Sequence, residues 1–328
     1  MKSIKKLFMF VFALVLGTGT IFGLSACGNN NKDDKISVVC TIFPEYDWAK
    51  EVVGENSNVE LTLLLDNGVD LHSYQPSVAD IAKILTCDLC IYVGGESDTW
   101  VADALKNATN KNMQVINLFD VLGDNKKEEE QKEGMQGEEE HEPGHEHEEE
   151  EVEYDEHVWL SLKNAQIFVT EIANKLSIID SANKDNYSAN ATAYNAKLNT
   201  LDTEYQAVVD AGTTKTLLFG DRFPFRYLVD DYKLDYFAAF VGCSAESEAS
   251  FETITFLAGK VDELNLKVIL QIETSKDSKI ANTIKENTKS KDQKILTLDS
   301  IQNTTTKSGK TYLSIMQSNL EVLKEAVK

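Results

Sequence analysis

Basic side chains are scarce in this chain of 328 residues, where 32 lysines and arginines face 54 aspartates and glutamates for a formal net charge of -22. Such a surface repels phosphate backbones and anionic lipid headgroups, which argues against nucleic acid or an anionic membrane surface as partners and favours cations. Histidine is rarer still, with five copies. The few imidazoles leave no Ser/His/Asp relay to propose, so hydrolytic chemistry has little to stand on. Cysteine is also sparse, and Cys87-x-x-Cys90 lacks a second pair to complete a zinc knuckle. On a strand that odd spacing sends the two side chains to opposite faces, so buried thiols or a disulfide are expected for Cys40, Cys87 and Cys90. Cys243, in Gly242-Cys-Ser-Ala-Glu246, could face a cleft, although a free cysteine is more often simply buried.

The first 27 residues stand apart from the fold. Lys2, Lys5 and Lys6 precede an apolar run from Leu7 to Leu16, and Leu24-Ser25-Ala26-Cys27 resembles a lipoprotein processing site. That resemblance implies removal of residues 1–26, a lipid on Cys27, and a mature protein anchored to the membrane outside the cytoplasm. Residues 27–35 then form a polar tether.

With 42 % hydrophobic content the remainder can bury a sizeable core, and its length suggests about two domains. From Ile36 strand and helix alternate. Ile36–Cys40, Val59–Leu65, Cys90–Val93 and Gln114–Leu118 have strand character. Helical spacing covers Tyr46–Val53, Val78–Leu85 behind Ser77 and Asp80, and Trp100–Ala108. The alternation resumes after a long helical run at 183–211. Strands are expected at Thr216–Phe219, Leu234–Phe240, Val268–Ile272 and Lys294–Leu298, with a terminal helix at Leu313–Val327. The order predicts an α/β protein of two doubly wound lobes with mostly parallel sheets, at 36–182 and 212–328, joined by that helix.

Residues 124–153 break the pattern. Glutamate dominates, apolar periodicity is absent, and glycines fall at 134, 137 and 144, so the segment reads as a disordered loop. A bare glutamate run is usually just solvated. His141, His145 and His147 shift that balance towards weak, fast-exchanging capture of a divalent cation.

In parallel sheets ligands bind beyond the carboxyl ends of strands. His72, Asp221, Glu273 and Asp299 each lie just past such an end, and His157 sits between the acidic loop and the next helix. Two imidazoles with one or two carboxylates suit zinc, with manganese or iron possible. Each residue also has an ordinary role open to it, His72 as a hydrogen-bonded loop residue and Asp299 as a turn or cap. Their joint placement is what points to a metal site.

Three stretches make the pattern specific: Asp70-Leu-His72-Ser-Tyr74-Gln-Pro76-Ser, Tyr154-Asp-Glu-His157-Val-Trp159-Leu-Ser161, and Leu296-Thr-Leu-Asp299-Ser. They resemble the metal-binding motifs of the zinc and manganese solute-binding proteins of ABC importers, the ZnuA-like or TroA-like family, over about residues 36–328. The resemblance implies a rigid connecting helix and one metal ion in the cleft between the lobes. It also implies delivery to a membrane permease, and the His/Glu-rich loop points to the zinc branch. A third ligand, usually His or Glu, is expected in the segment Phe219-Gly-Asp221-Arg222-Phe-Pro-Phe225-Arg-Tyr227. Counting from the strand places it on Asp221; counting back from Phe225 places it on Arg222, which stays protonated and cannot coordinate a cation. The expected ligands are thus His72, His157, Asp299 and Asp221, with Glu273 or Glu246 as substitutes for the last. If Arg222 fills the slot instead, it is expected to pair with Asp299. Metal affinity should fall below about pH 6.5, where imidazoles protonate. The expected protein is a monomeric zinc receptor without enzymatic activity. A manganese receptor, a metal-dependent surface adhesin and, less favoured, an extracytoplasmic zinc hydrolase are the alternatives.

Overall fold

The computed structural model describes residues 35–136, 152–244, 248–275 and 277–328. Cys27, His141, His145, His147 and Glu246 lie outside the described residues. The first sheet is built from β1 (Ile36–Cys40), β2 (Val59–Leu63), β3 (Leu89–Tyr92) and β4 (Gln114–Asn117), in the order β2-β1-β3-β4 and parallel throughout. Its helices follow the expected signals. Ser77 caps α2 (Val78–Thr86) by accepting from the Asp80 N–H while the Asp80 carboxylate reaches back to the Ser77 N–H, closing a capping box. Ser161 caps α5 (Leu162–Ile179) by accepting from the Asn164 N–H (3.0 Å). The remaining helices of this half are α1 (Phe43–Val53), α3 (Thr99–Leu105) and α4 (Leu118–Leu122).

The connecting helix α6 (Lys184–Ala211) runs 28 residues. It buries Tyr187, Tyr194, Leu198, Leu201 and Tyr205 along one stripe. Three polar contacts pin it: Tyr187 Oη donates to Asp180 (2.9 Å), Asn190 to the Val52 carbonyl (3.0 Å) and Tyr205 to the Met316 carbonyl (2.6 Å).

The second sheet, again fully parallel, has the order β6-β5-β7-β8, from β5 (Thr216–Phe223), β6 (Asp235–Val241), β7 (Val268–Gln271) and β8 (Lys294–Thr297). Here β5 is longer than expected. It continues through Asp221 to Phe223, with a register shift between Phe219 and Arg222. An irregularity of this kind turns successive side chains to new directions, here those of Asp221 and Arg222. Helices α7 (Arg226–Tyr232), α8 (Phe251–Glu263), α9 (Lys279–Asn287) and α10 (Tyr312–Ala326) complete this half. One apolar core runs through both lobes, and a smaller one fills the outer second lobe around Leu257 and Ile269.

The expectation of disorder at 124–153 is corrected for residues 124–136. Glu128 forms an antiparallel bridge with Tyr154, the Glu129 N–H donates to the Glu153 carbonyl (3.0 Å), and the Lys127 N–H donates to Tyr227 Oη (3.0 Å). Met135 is buried, Lys132 lies 4.1 Å from the Tyr236 ring centre, and the Gln136 N–H reaches the Ala239 carbonyl (2.9 Å). Composition missed this arm because backbone hydrogen bonds and aromatic faces supplied by the second lobe replace the apolar burial it lacks.

Candidate metal centre

His72 sits in a single turn, Leu71–Ser73, that Asp70 caps by accepting from the His72 N–H (3.1 Å). Its Nδ1 lies 2.8 Å from Ser97 Oγ, and the Ser97 N–H donates to Glu156 Oε1 (2.8 Å). Glu156 Oε2 is buried without a hydrogen-bond partner, 3.6 Å from His72 Nδ1. Gly95 permits this approach: a Cβ there would meet the Glu156 carboxylate at 2.3 Å.

His157 is fully buried. Asp155 Oδ1 accepts from both its N–H (2.9 Å) and its Nδ1 (3.0 Å), and Tyr227 Oη holds the Asp155 carbonyl (3.1 Å). A carboxylate only accepts, so His157 Nδ1 carries a proton and Nε2 points away from Asp155. There Nε2 meets Nε2 of His72 at 3.1 Å. Gly242 closes the pocket beside His157, since a Cβ on it would fall 3.1 Å from Cε1 of that ring. Trp159, 5.1 Å from His157 between ring centres, donates from Nε1 to the Ser300 carbonyl (2.9 Å) and so ties this turn to the second lobe.

The pair is electrostatically unequal. Burial, then the neighbouring His157, pushes the His72 pKa down to about 3. Burial also works against charge on His157, yet Asp155, Asp70 and Glu156 outweigh it and raise its pKa. Proton and metal therefore compete for the point between the two Nε2 atoms. Tetrahedral zinc, with Zn–N bonds of about 2.0–2.1 Å, separates two imidazole nitrogens by roughly 3.3 Å, so the donor pair fits that ion.

Of the expected ligands, His72 and His157 come together; Asp221 and Asp299 do not join them. Asp221, inside the extended β5, turns into its own lobe and accepts from the Ile272 N–H (3.0 Å) and from Ser275 Oγ. Asp299 Oδ2 pairs with Lys310 (3.0 Å), while its Oδ1 accepts from the Ile301 N–H (2.9 Å). Glu273 is occupied by Ser300 and Gln302, and burial followed by nearby Asp299 raises its pKa to about 7. Arg222 does face the cleft, but it pairs with Asp70 across the lobes (2.9 Å), not with Asp299. It borders a cavity of about 560 Å³ lined also by Ser73, Ser244 and Lys279. Among the described residues of the second lobe, Cys243 is the ligand-type side chain that approaches both imidazoles. Among the described residues, His72, His157 and Cys243 form a cluster whose ligand atoms all lie within 4.8 Å of one another. Asp155 and Ser97, which orient the rings, carried no signal strong enough to single them out in the sequence.

The chain is 32 % identical over 315 residues to the zinc-binding lipoprotein AdcA of Streptococcus pneumoniae, covering 95 % of this chain and 60 % of that protein. It thus spans less than two thirds of that relative's length. The high-affinity zinc uptake system protein ZnuA of Bacillus subtilis is 32 % identical over 313 residues, with 93 % of each chain covered. The structure resembles the Zn(II)-bound ZnuA-like domain of Streptococcus pneumoniae AdcA with a TM-score of 0.69 and 28 % identity, covering 89 % of this chain and 99 % of that one. The model of the family described as zinc-uptake complex component A, periplasmic, matches residues 38–326, and the chain belongs to that family.

Proposed function

We propose that this chain is an extracytoplasmic receptor that binds zinc between its lobes and delivers it to the membrane permease of an ABC importer. The observation that carries the reading is the pair of imidazole Nε2 atoms 3.1 Å apart, each with its Nδ1 already engaged. Bare nitrogen lone pairs at that distance repel unless a proton or a cation lies between them. Zinc is the cargo and no covalent chemistry is performed on it. The lipid on Cys27 keeps the receptor beside its permease, and the protein acts as a monomer. His141, His145 and His147 gather cations from solution and raise their concentration near the cleft.

Zinc titration of the purified protein by calorimetry tests this. One tight equivalent is expected, lost in both His72→Ala and His157→Ala. A variant carrying Asn at 141, 145 and 147 should keep the tight equivalent and lose weaker ones. Undiminished tight binding in both single variants would overturn the assignment of the site. Unchanged weak binding in the triple variant would remove the collecting role of the loop.

A further inference from the structure

We infer that Cys243 is a zinc ligand of this chain, supplying through Sγ the third protein donor alongside His72 and His157. The inference rests on the zinc-receptor reading and deepens it by naming a donor from the second lobe.

Position comes first. Cys243 lies two residues past the carboxyl end of β6, the edge of a parallel sheet where ligands are held. Its backbone is fixed from two sides. The Cys243 N–H donates to Glu129 Oε1 (3.2 Å), a residue of the arm at 124–136, and Arg222 Nη1 reaches the carbonyl of adjacent Ser244 (3.3 Å). Gly242 lets this backbone lie against the His157 ring, and the register shift in β5 leaves Arg222 free to hold it there.

Donor chemistry comes second. Asp221, Asp299 and Glu273 have partners elsewhere, so the second lobe brings sulfur, not oxygen, to the two nitrogens. Tetrahedral zinc with a Zn–S bond of about 2.3 Å places sulfur roughly 3.6 Å from each nitrogen. The cluster lies within 4.8 Å, so a small inward movement of Cys243 completes it. On binding, the thiol releases its proton to solvent and the sulfur lone pair forms the bond to zinc, with no change in oxidation state. Two imidazoles and a thiolate prefer zinc to manganese, which favours oxygen donors. A fourth position stays open for water or for a donor that shifts in on closure.

Cobalt(II) in place of zinc makes the sulfur visible. The wild-type complex is expected to show a thiolate-to-cobalt charge-transfer band, absent in Cys243→Ser, and that variant should bind zinc at least about tenfold more weakly. X-ray absorption at the zinc edge of the unsubstituted protein should show one sulfur at about 2.3 Å, so the proposal does not depend on whether the variant folds. Cys27 is common to every sample and cancels in the comparison. Tight zinc binding that needs His72 and His157 but shows neither band nor sulfur would overturn the role of Cys243 and leave the receptor reading intact. Absence of tight zinc binding in the wild type would overturn both.

Discussion

Asp155 is placed to set the affinity of the proposed zinc site without itself being a ligand. Its Oδ1 accepts from His157 twice, from the backbone N–H and from Nδ1, fixing both where the ring stands and which nitrogen is free. Its negative charge also raises the electron density at Nε2. Asp155→Asn keeps an acceptor but loses the charge, so zinc affinity should fall by about 10- to 100-fold with the fold retained. Calorimetry paired with far-ultraviolet circular dichroism separates the two effects, and a loss of signal in both would make Asp155 a folding residue instead. At this scale the histidines were legible and the carboxylates were not. His72 and His157 fall in short motifs whose neighbours place them locally, Asp70 through its cap and Asp155 through its two bonds. Asp221 was misplaced because β5 ran beyond Phe219, and a bulge cannot be read from apolar alternation alone. Cys243 carried no local pattern; its nearness to His157 depends on Gly242, a contact between lobes.

At the scale of the element, the first turn of α1 holds an unusual group. Glu45, fully buried, accepts through Oε2 from the Thr41 N–H (2.8 Å), Thr41 Oγ1 (3.1 Å) and the Ile42 N–H (3.2 Å), serving the start of α1. Burial, then Asp98, nonetheless pushes its pKa up to about 8, and Oε1 has no hydrogen-bond partner. A folded-state pKa above the ordinary 4.5 means that the native chain holds a proton the unfolded chain releases. Stability from this group is therefore complete below about pH 4.5 and is lost as pH rises through about 8. Urea midpoints across that range should decline less in Glu45→Gln than in the wild type. Equal slopes would show that Glu45 is ionised in both states. The elements themselves were nearly all visible beforehand, since capping residues such as Ser77 and Ser161 act within one turn. The arm at 124–136 was not, because its partners Tyr227, Tyr236 and Ala239 lie about a hundred residues away in sequence.

For the whole molecule, the question is how freely the two lobes can move relative to each other. A shared core and buried polar ties argue for small motion. Asp47 on α1 accepts from the Tyr312 N–H (2.7 Å) at the start of α10, Tyr312 Oη donates to the Trp159 carbonyl (2.7 Å), and the Trp48 ring meets Tyr312 edge-on at 5.1 Å. All of these groups are buried, so a rotation that separated the lobes would break these hydrogen bonds and expose the apolar surface packed around them. Unfolding should accordingly be a single transition, seen alike by tryptophan fluorescence and far-ultraviolet circular dichroism. Asp47→Ala leaves the Tyr312 N–H buried without an acceptor and should cost about 1–3 kcal/mol. If the lobes were independent, that variant would split the denaturation curve into two steps and spare one of them. A loss of stability with one transition preserved is the result expected of a receptor whose cleft closes by local movement, such as that of the Cys243 segment, over a rigid frame.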